Sequence, residues 1–303
     1  MKSLRTPDER FAGLDGYPFA PNYVDIDDTE GGTLRVHYLD EGPVGGPVVL
    51  AMHGEPSWSY LYRKMIPPMV AAGLRVIAPD LIGFGKSDKP TEKSDYTYAR
   101  HVAWMQAAIL DHLDDLHDAT LFGQDWGGLV GLRLVAENPD RFARVVIGNT
   151  GLPTGEQRLS DAFMAWQKFS QTSDVFDIGF LVQSATITEL TEAEVAAYDA
   201  PFPDDSYKAG ARIFPSLVPT SPDDPAADAN REAWKVFQHW YKPLICCFSD
   251  SDPVTAGGDA AFRKLVPGAQ DRPNVTVENA HHFFQEDAPE QLVQIIVDAV
   301  VNG

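Results

Sequence analysis

The sequence predicts an α/β fold: a mostly parallel central sheet flanked by helices, with one helical segment inserted. Three observations lead there. Short apolar runs alternate with stretches of helical periodicity in both the first half and the last quarter of the chain. That alternation breaks between residues 156 and 230, where no comparable apolar strand occurs. The chain has 303 residues, 44% hydrophobic and 22% charged, which suits one large globular domain carrying an insertion.

In order along the chain, residues 1–32 are expected to be irregular, with Phe19 and Tyr23 as aromatic anchors. Thr33–Leu39 alternates at period two and predicts a half-exposed strand. Val48–Met52 and Leu74–Ala78 predict buried strands, ending at His53-Gly54-Glu55-Pro56 and at Pro79-Asp80. Val102, Met105, Ile109, Leu113 and Leu116 fall at spacings of three and four and predict one long helix. Ala119–Phe122 predicts a buried strand, Leu129–Glu137 a helix that Pro139 stops, and Val145–Ile147 another strand. The inserted segment is rich in helix formers, as in Leu190–Ala197, and ends in the Pro/Asp stretch Pro219–Pro225. Alternation then resumes with a strand at Pro243–Phe248, a helix at Ala260–Leu265, a strand at Asn274–Glu278 and a C-terminal helix presenting Leu292, Ile296 and Val300. Such alternation implies parallel strands, right-handed crossovers and a sheet covered on both faces. The expected division is a core of residues 1–155 and 231–303 and a helical cap of residues 156–230.

The net charge of −20 argues against nucleic acid or an anionic membrane surface as partner. No apolar run approaches the ~20 residues of a membrane helix, and Met1–Arg10 lacks the apolar core of a secretory signal. Cys246 and Cys247 are adjacent on a predicted strand, so they point to opposite faces and read as buried thiols. A cytoplasmic location is expected, and the sequon Asn274-Val275-Thr276 is read as chance. A monomer is expected. No metal-ligand spacing occurs, and neither metal nor cofactor is expected.

The chemistry points to Gly123-Gln124-Asp125-Trp126-Gly127, between a predicted strand and a helix. This is the context of a nucleophile elbow, G-x-S-x-G, with Asp in place of Ser. A carboxylate there can attack carbon without first losing a proton, because aspartate ionises near pH ~4. Ligands of open α/β sheets bind beyond the carboxyl ends of the strands, and four further clusters follow predicted strands. At His53-Gly54-Glu55-Pro56, a turn can aim the Glu55 N–H at a pocket; the Trp126 N–H offers a second donor, and two such donors make an oxyanion hole. The His53 side chain is expected to be structural. Asp80–Ser87 contains Gly-Lys-Ser, yet the first glycine of a phosphate loop would fall at Asp80, so a turn over the sheet edge is expected. In Phe248–Thr255, Asp252 is preferred over Asp250 as a carboxylate orienting a histidine, the alternative being that these acids only cap the next helix. In Glu278–Phe284, His282 is preferred over His281 as the base, which completes the chain order nucleophile, acid, histidine.

On these residues the sequence resembles the α/β-hydrolase superfamily and, within it, the haloalkane dehalogenases, nearest the subfamily typified by the 1,2-dichloroethane-hydrolysing enzyme. The likeness covers most of the chain: His53–Pro67, Gly83–Pro90, Gln124–Gly128, His282–Asp287, and in the cap Ala200–Asp204 followed by Tyr207, Ala209 and Gly210. It implies Asp125 as nucleophile, His282 as base and Asp252 as orienting acid. The backbone N–H groups of Glu55 and Trp126 would form the oxyanion hole. The indoles of Trp126 and Trp166 would bind halide, and Phe163 and Phe214 would line the pocket. Trp58, Trp104, Trp234 and Trp240 have no such counterpart and are expected to pack. Ala280-His281 departs from the glycine common in relatives. The implied partners are a small apolar haloalkane, water and halide. The implied reaction is hydrolysis to alcohol, halide and a proton through an alkyl ester on Asp125. An epoxide hydrolase would need acidic O–H donors from the cap, for which Tyr198 and Tyr207 are the candidates. A rival of another class is a non-catalytic binding protein on the same fold.

Overall fold

A computed structural model describes residues 1–270, 272 and 275–301. Its centre is an eight-stranded sheet: β1 (Asn22–Asp27), β2 (Thr33–Glu41), β3 (Val48–Met52), β4 (Arg75–Pro79), β5 (Ala119–Gln124), β6 (Phe142–Gly148), β7 (Leu244–Ser249) and β8 (Val275–Val277). The lateral order is β1-β2-β4-β3-β5-β6-β7-β8. β2 runs antiparallel to both neighbours, and all other pairs are parallel. The apolar runs of β3, β4 and β5 are buried from end to end, as strands covered on both faces must be.

Helices α1 (Ile66–Ala71), α2 (Tyr98–Met105) and α3 (Trp126–Glu137) belong to the first part of the chain. Between β6 and β7 lie α4 (Asp161–Thr172), α5 (Ile178–Ser184), α6 (Glu192–Asp199), α7 (Ala209–Ile213) and α8 (Ala227–Phe237), with no strand among them. The expected boundary at residue 230 falls inside α8, whose Trp234 ring packs on Phe262. The chain closes with α9 (Asp259–Leu265), α10 (Pro267–Gln270), α11 (Phe284–Asp287) and α12 (Pro289–Val301), the last burying Leu292 and Ile296.

The structure corrects the sequence reading in four places. Residues 1–32 are not irregular: Ser3–Leu4 pairs with Lys89–Pro90, Asp8–Phe11 forms a 3₁₀ turn, and β1 adds an edge strand to the sheet. β1 has one neighbour and exposes Asp25 and Asp27, so it lacks the apolar signature of an inner strand. β2 is longer and more buried than expected, because it lies between two strands. The long helix stops early, since α2 passes into a π-helical turn at Gln106–Leu110 and leaves Leu113 and Leu116 beyond it. Finally, α3 starts at Trp126, three residues before the expected Leu129. Cys246 and Cys247 are buried and unpaired. Asn274 lies outside the described residues. Among the described residues no helix is long and apolar enough to cross a membrane.

Candidate active site

β5 ends at Gln124, the chain turns at Asp125, and α3 begins at once. Asp125 takes φ +51° and ψ −125°, a conformation that costs a non-glycine residue free energy and persists only when its surroundings impose it. Here they do. The Asp125 N–H donates to the Asn149 carbonyl at 2.9 Å, and the Asp125 carbonyl accepts from Gly128 N–H at 2.9 Å and Thr150 Oγ1 at 2.7 Å. Both motif glycines are required by close approach. A Cβ on Gly123 would lie 2.8 Å from the Gly128 Cα, and one on Gly127 would run into the Met52 carbonyl.

The predicted acid and base meet at this turn. His282 Nδ1 lies 3.0 Å from Asp252 Oδ2, and Nε2 lies 3.6 Å from Asp125 Oδ2. Burial alone would lower the imidazole's pKa, but the charges of Asp252 and then Asp125 overcome it and push His282 up to about 10. Burial would likewise raise Asp252. The imidazole beside it and donors from Thr255 and Val254 instead hold it well below the usual carboxylate range. Asp252 therefore caps its turn as well as facing the histidine. Asp250 does not meet the imidazole; it accepts the N–H groups of Asn279 and Ala280, shaping the loop that carries His282. The His281 N–H donates to Asp287.

The Glu55 N–H donates to Asp125 Oδ1 at 2.7 Å. The Trp126 N–H opens α3, where no intrahelical acceptor exists. The Glu55 carboxyl is buried and faces the Trp166 indole; burial first, then the Asp125 charge, raises its pKa well above the ordinary range. His53 is structural: Nδ1 donates to the Gly54 carbonyl and Nε2 accepts the Leu81 N–H, each at 2.9 Å. The Gly-Lys-Ser turn cradles a carboxylate and no phosphate. Buried Asp80 accepts the N–H groups of Ser59 and Lys86 and pairs with His37.

The six tryptophans separate cleanly. Trp58 and Trp234 donate to the carbonyls of Ala197 and Leu152, and the indole nitrogens of Trp104 and Trp240 are sealed from solvent without a partner among the described residues. Trp126 lies against the elbow, its ring 4.6 Å from that of Phe214. Trp166, on α4, is partly buried in a cluster with the rings of Phe169 and Phe176. A cavity of about 490 Å³ opens onto Asp125, with Leu129, Leu152, Phe163, Val218, Trp234 and Phe262 in its apolar wall. Phe163 thus lines it as expected. Phe214 is not among its lining residues; it is fully buried against Trp126, His101 and Phe84.

The inserted helices are fastened to the loop bearing His282. Phe283 N–H donates to the Ala185 carbonyl, and Asp287 accepts the N–H groups of Ile187 and Thr188. Buried Arg63 bridges Glu286 of α11 and Glu194 of α6, and the Tyr198 hydroxyl donates to Glu286.

Sequence reasoning missed Gln124, Asn149 and Thr150. Asn149 Nδ2 donates to the carbonyls of His281 and His282, both at 3.0 Å, while its Oδ1 accepts the Ser249 N–H. The signal was available: Asn149 is the first residue after β6, at the carboxyl edge where the other clusters were sought.

Comparison with known proteins agrees over nearly the whole chain. Residues 47–289 match the family model for the alpha/beta hydrolase fold. A haloalkane dehalogenase of Psychrobacter cryohalolentis is 59% identical over 300 residues, covering 99% of this chain and 98% of its own. One from Mycobacterium marinum is 51% identical over 297 residues, covering 98% and 99%. Among solved structures, the tetrameric haloalkane dehalogenase DpaA from Paraglaciecola agarilytica NO2 superposes with a TM-score of 0.90 at 36% identity, over 100% of this chain and 99% of that one.

Proposed function

The chain belongs to the α/β-hydrolase family and, within it, to the haloalkane dehalogenases, hydrolases acting on carbon–halide bonds; from that premise we propose that Asp125, His282 and Asp252 carry the reaction. Asp125 attacks the sp³ carbon in line, the carbon–halogen pair leaves with the halide, and an alkyl ester forms. The N–H groups of the Trp126 and Trp166 indoles stabilise the departing anion. The observation that carries this reading is the sorting of the six indoles: those of Trp126, next to the nucleophile, and Trp166, facing the Glu55 carboxyl, are neither bonded to a backbone carbonyl nor sealed in the core.

Esterification then prepares the base. Before esterification His282 faces the charges of Asp252 and Asp125, which favour its protonated form. Once Asp125 is an ester, one of those charges is gone, and the imidazole gives its proton to solvent more readily in the state that needs a base. Nε2 takes a proton from water as the water oxygen attacks the ester carbon, and the Glu55 and Trp126 N–H groups hold the oxyanion. The alkoxide leaves with that proton, and the water's second hydrogen, left on the Asp125 carboxyl, returns to His282 as the carboxylate is regenerated.

The epoxide-hydrolase alternative is not favoured: relatives 59% and 51% identical over nearly the full chain are haloalkane dehalogenases, and the Tyr198 hydroxyl is engaged by Glu286. Halide release from 1-bromobutane, measured alongside diol formation from styrene oxide, tests the assignment. Halide without diol is expected; diol without halide, or neither product, rejects it.

Residues 156–230 are read as a cap over a core of residues 1–155 and 231–303. A cytoplasmic location is part of the same proposal, supported by two unpaired buried cysteines. The tetramer formed by DpaA argues against the expected monomer, and an assembly of several chains is proposed instead. A single-chain mass in sedimentation at micromolar concentration would reject that.

A further inference from the structure

We propose that Gln124 is a positioning residue for the hydrolytic half-reaction, its amide holding His282 with Nε2 as an acceptor and Nδ1 protonated. This rests on the roles given above to Asp125 and His282. Gln124 is fully buried as the last residue of β5, next to the nucleophile. Its Nε2 lies 3.2 Å from the His282 carbonyl oxygen and 3.1 Å from His282 Nε2. The carbonyl can only accept, so the amide nitrogen must face it, and this settles which way the amide points. The second amide N–H is then directed at the imidazole, a contact that is favourable only while Nε2 keeps its lone pair. With Asp252 3.0 Å from Nδ1, the proton left on the ring once the ester has formed and the imidazole is neutral sits at Nδ1, the tautomer a base needs.

The charged or titratable groups facing this ring are Asp252 from the loop after β7, Asp125 at the elbow and Glu55 from the turn after β3. Whenever ionised, all three favour the imidazolium. The Gln124 N–H pulls the other way, because a hydrogen bond to the neutral form disfavours the charged one. The far end of the amide is equally telling. Gln124 Oε1 is buried and takes no donor among the described residues. A Cβ on Gly54 would sit 2.8 Å from it and 2.7 Å from Asp125 Oδ1, so an unmet acceptor stands beside the carboxyl where water must attack. That acceptor suits one hydrogen of the attacking water; the other goes to Nε2, whose single lone pair the amide N–H yields as the water moves in.

The test uses Gln124→Met, which removes the donor, and Gln124→Glu, which replaces it with an acceptor. Enzyme in excess is mixed with 1-bromobutane at a series of pH values and quenched, and the butylated Asp125 peptide is followed by mass spectrometry. Ester formation is expected to stay within about threefold of the parent in both variants. The acid limb of ester hydrolysis is expected to move up by about one pH unit in Gln124→Met, roughly a tenfold loss on its acid side, and further in Gln124→Glu. An unmoved limb, or a loss of equal size at every pH, overturns the inference and leaves Gln124 a packing residue. If the parent itself forms no ester on Asp125, the failure lies with the proposed roles of Asp125 and His282.

Discussion

Replacing Asp252 with Asn keeps the shape of the acid and removes its charge, which faces His282 Nδ1 at 3.0 Å. The Asp252 side chain is fully buried and that of His282 nearly so, so solvent screens the pair little. At an effective dielectric of ~20, unit charges at that separation interact by about 5 kcal/mol, or between three and four decades in rate. This agrees in direction with the rise of His282 from 6.5 to about 10, in which the Asp252 charge is the largest raising cause. The imidazolium forms as water attacks the ester, so hydrolysis is expected to slow by about 10³-fold or more. Alkylation by Asp125 needs no imidazolium and should change far less. Rapid mixing with 1-bromobutane should then give a halide burst equal to the enzyme concentration, followed by almost no turnover, with the Asp125 peptide heavier by one butyl group. Because a raising charge is lost, the acid limb of the residual hydrolysis should move to lower pH. Ester decay within about tenfold of the parent would refute the orienting role of Asp252.

Removing the base entirely, by His282→Ala, should leave alkylation intact and trap the ester on Asp125; intact-mass spectrometry showing no adduct would reject the assigned roles. Trp166→Phe removes one indole donor to an anion, a contact worth ~1.5–3 kcal/mol, so halide affinity read by tryptophan fluorescence quenching should fall about tenfold or more. Unchanged affinity would take Trp166 out of the site. The raised pKa of His282 also bears on stability. Its contribution is fully present below the unfolded value of 6.5 and is lost as pH rises through about 10. The denaturant midpoint of the parent should therefore fall across that interval, and His282→Gln should flatten the fall; parallel curves for the two proteins would refute the linkage.

The inner strands were legible because burial on both faces leaves an apolar run that periodicity can find, as in Val48–Met52. The elbow was legible because its glycines are imposed by backbone contact, and at Gly127 any side chain would meet the Met52 carbonyl. β1 was not legible, since an edge strand with outward Asp25 and Asp27 looks like a loop to any pattern based on burial. Leu113 and Leu116 kept the helical spacing past the end of α2, because Leu116 is buried by the fold around it and not by a helix face. Asp252 was separable from Asp250 only as a preference. Both acids accept backbone N–H groups, and the imidazole alone tells them apart. Gln124 and Asn149 act through amides whose partners lie 158 and 133 residues away, a relation that no local spacing encodes.

The tie between α6 and the histidine loop has a consequence for the order of events. Arg63 and Tyr198 hold Glu286, four residues after His282, while Asp287 binds the backbone at Ile187 and Thr188. Lifting this part of the cap would pull directly on the segment that aims the imidazole. Opening at that point and hydrolysis of the proposed ester on Asp125 would therefore exclude each other. The cavity between residues 152–160 and 254–265 has neither Arg63 nor Glu286 in its lining. It does include Val254 and Thr255, whose N–H groups hold Asp252, so any shift of that wall reaches the imidazole through the acid behind it.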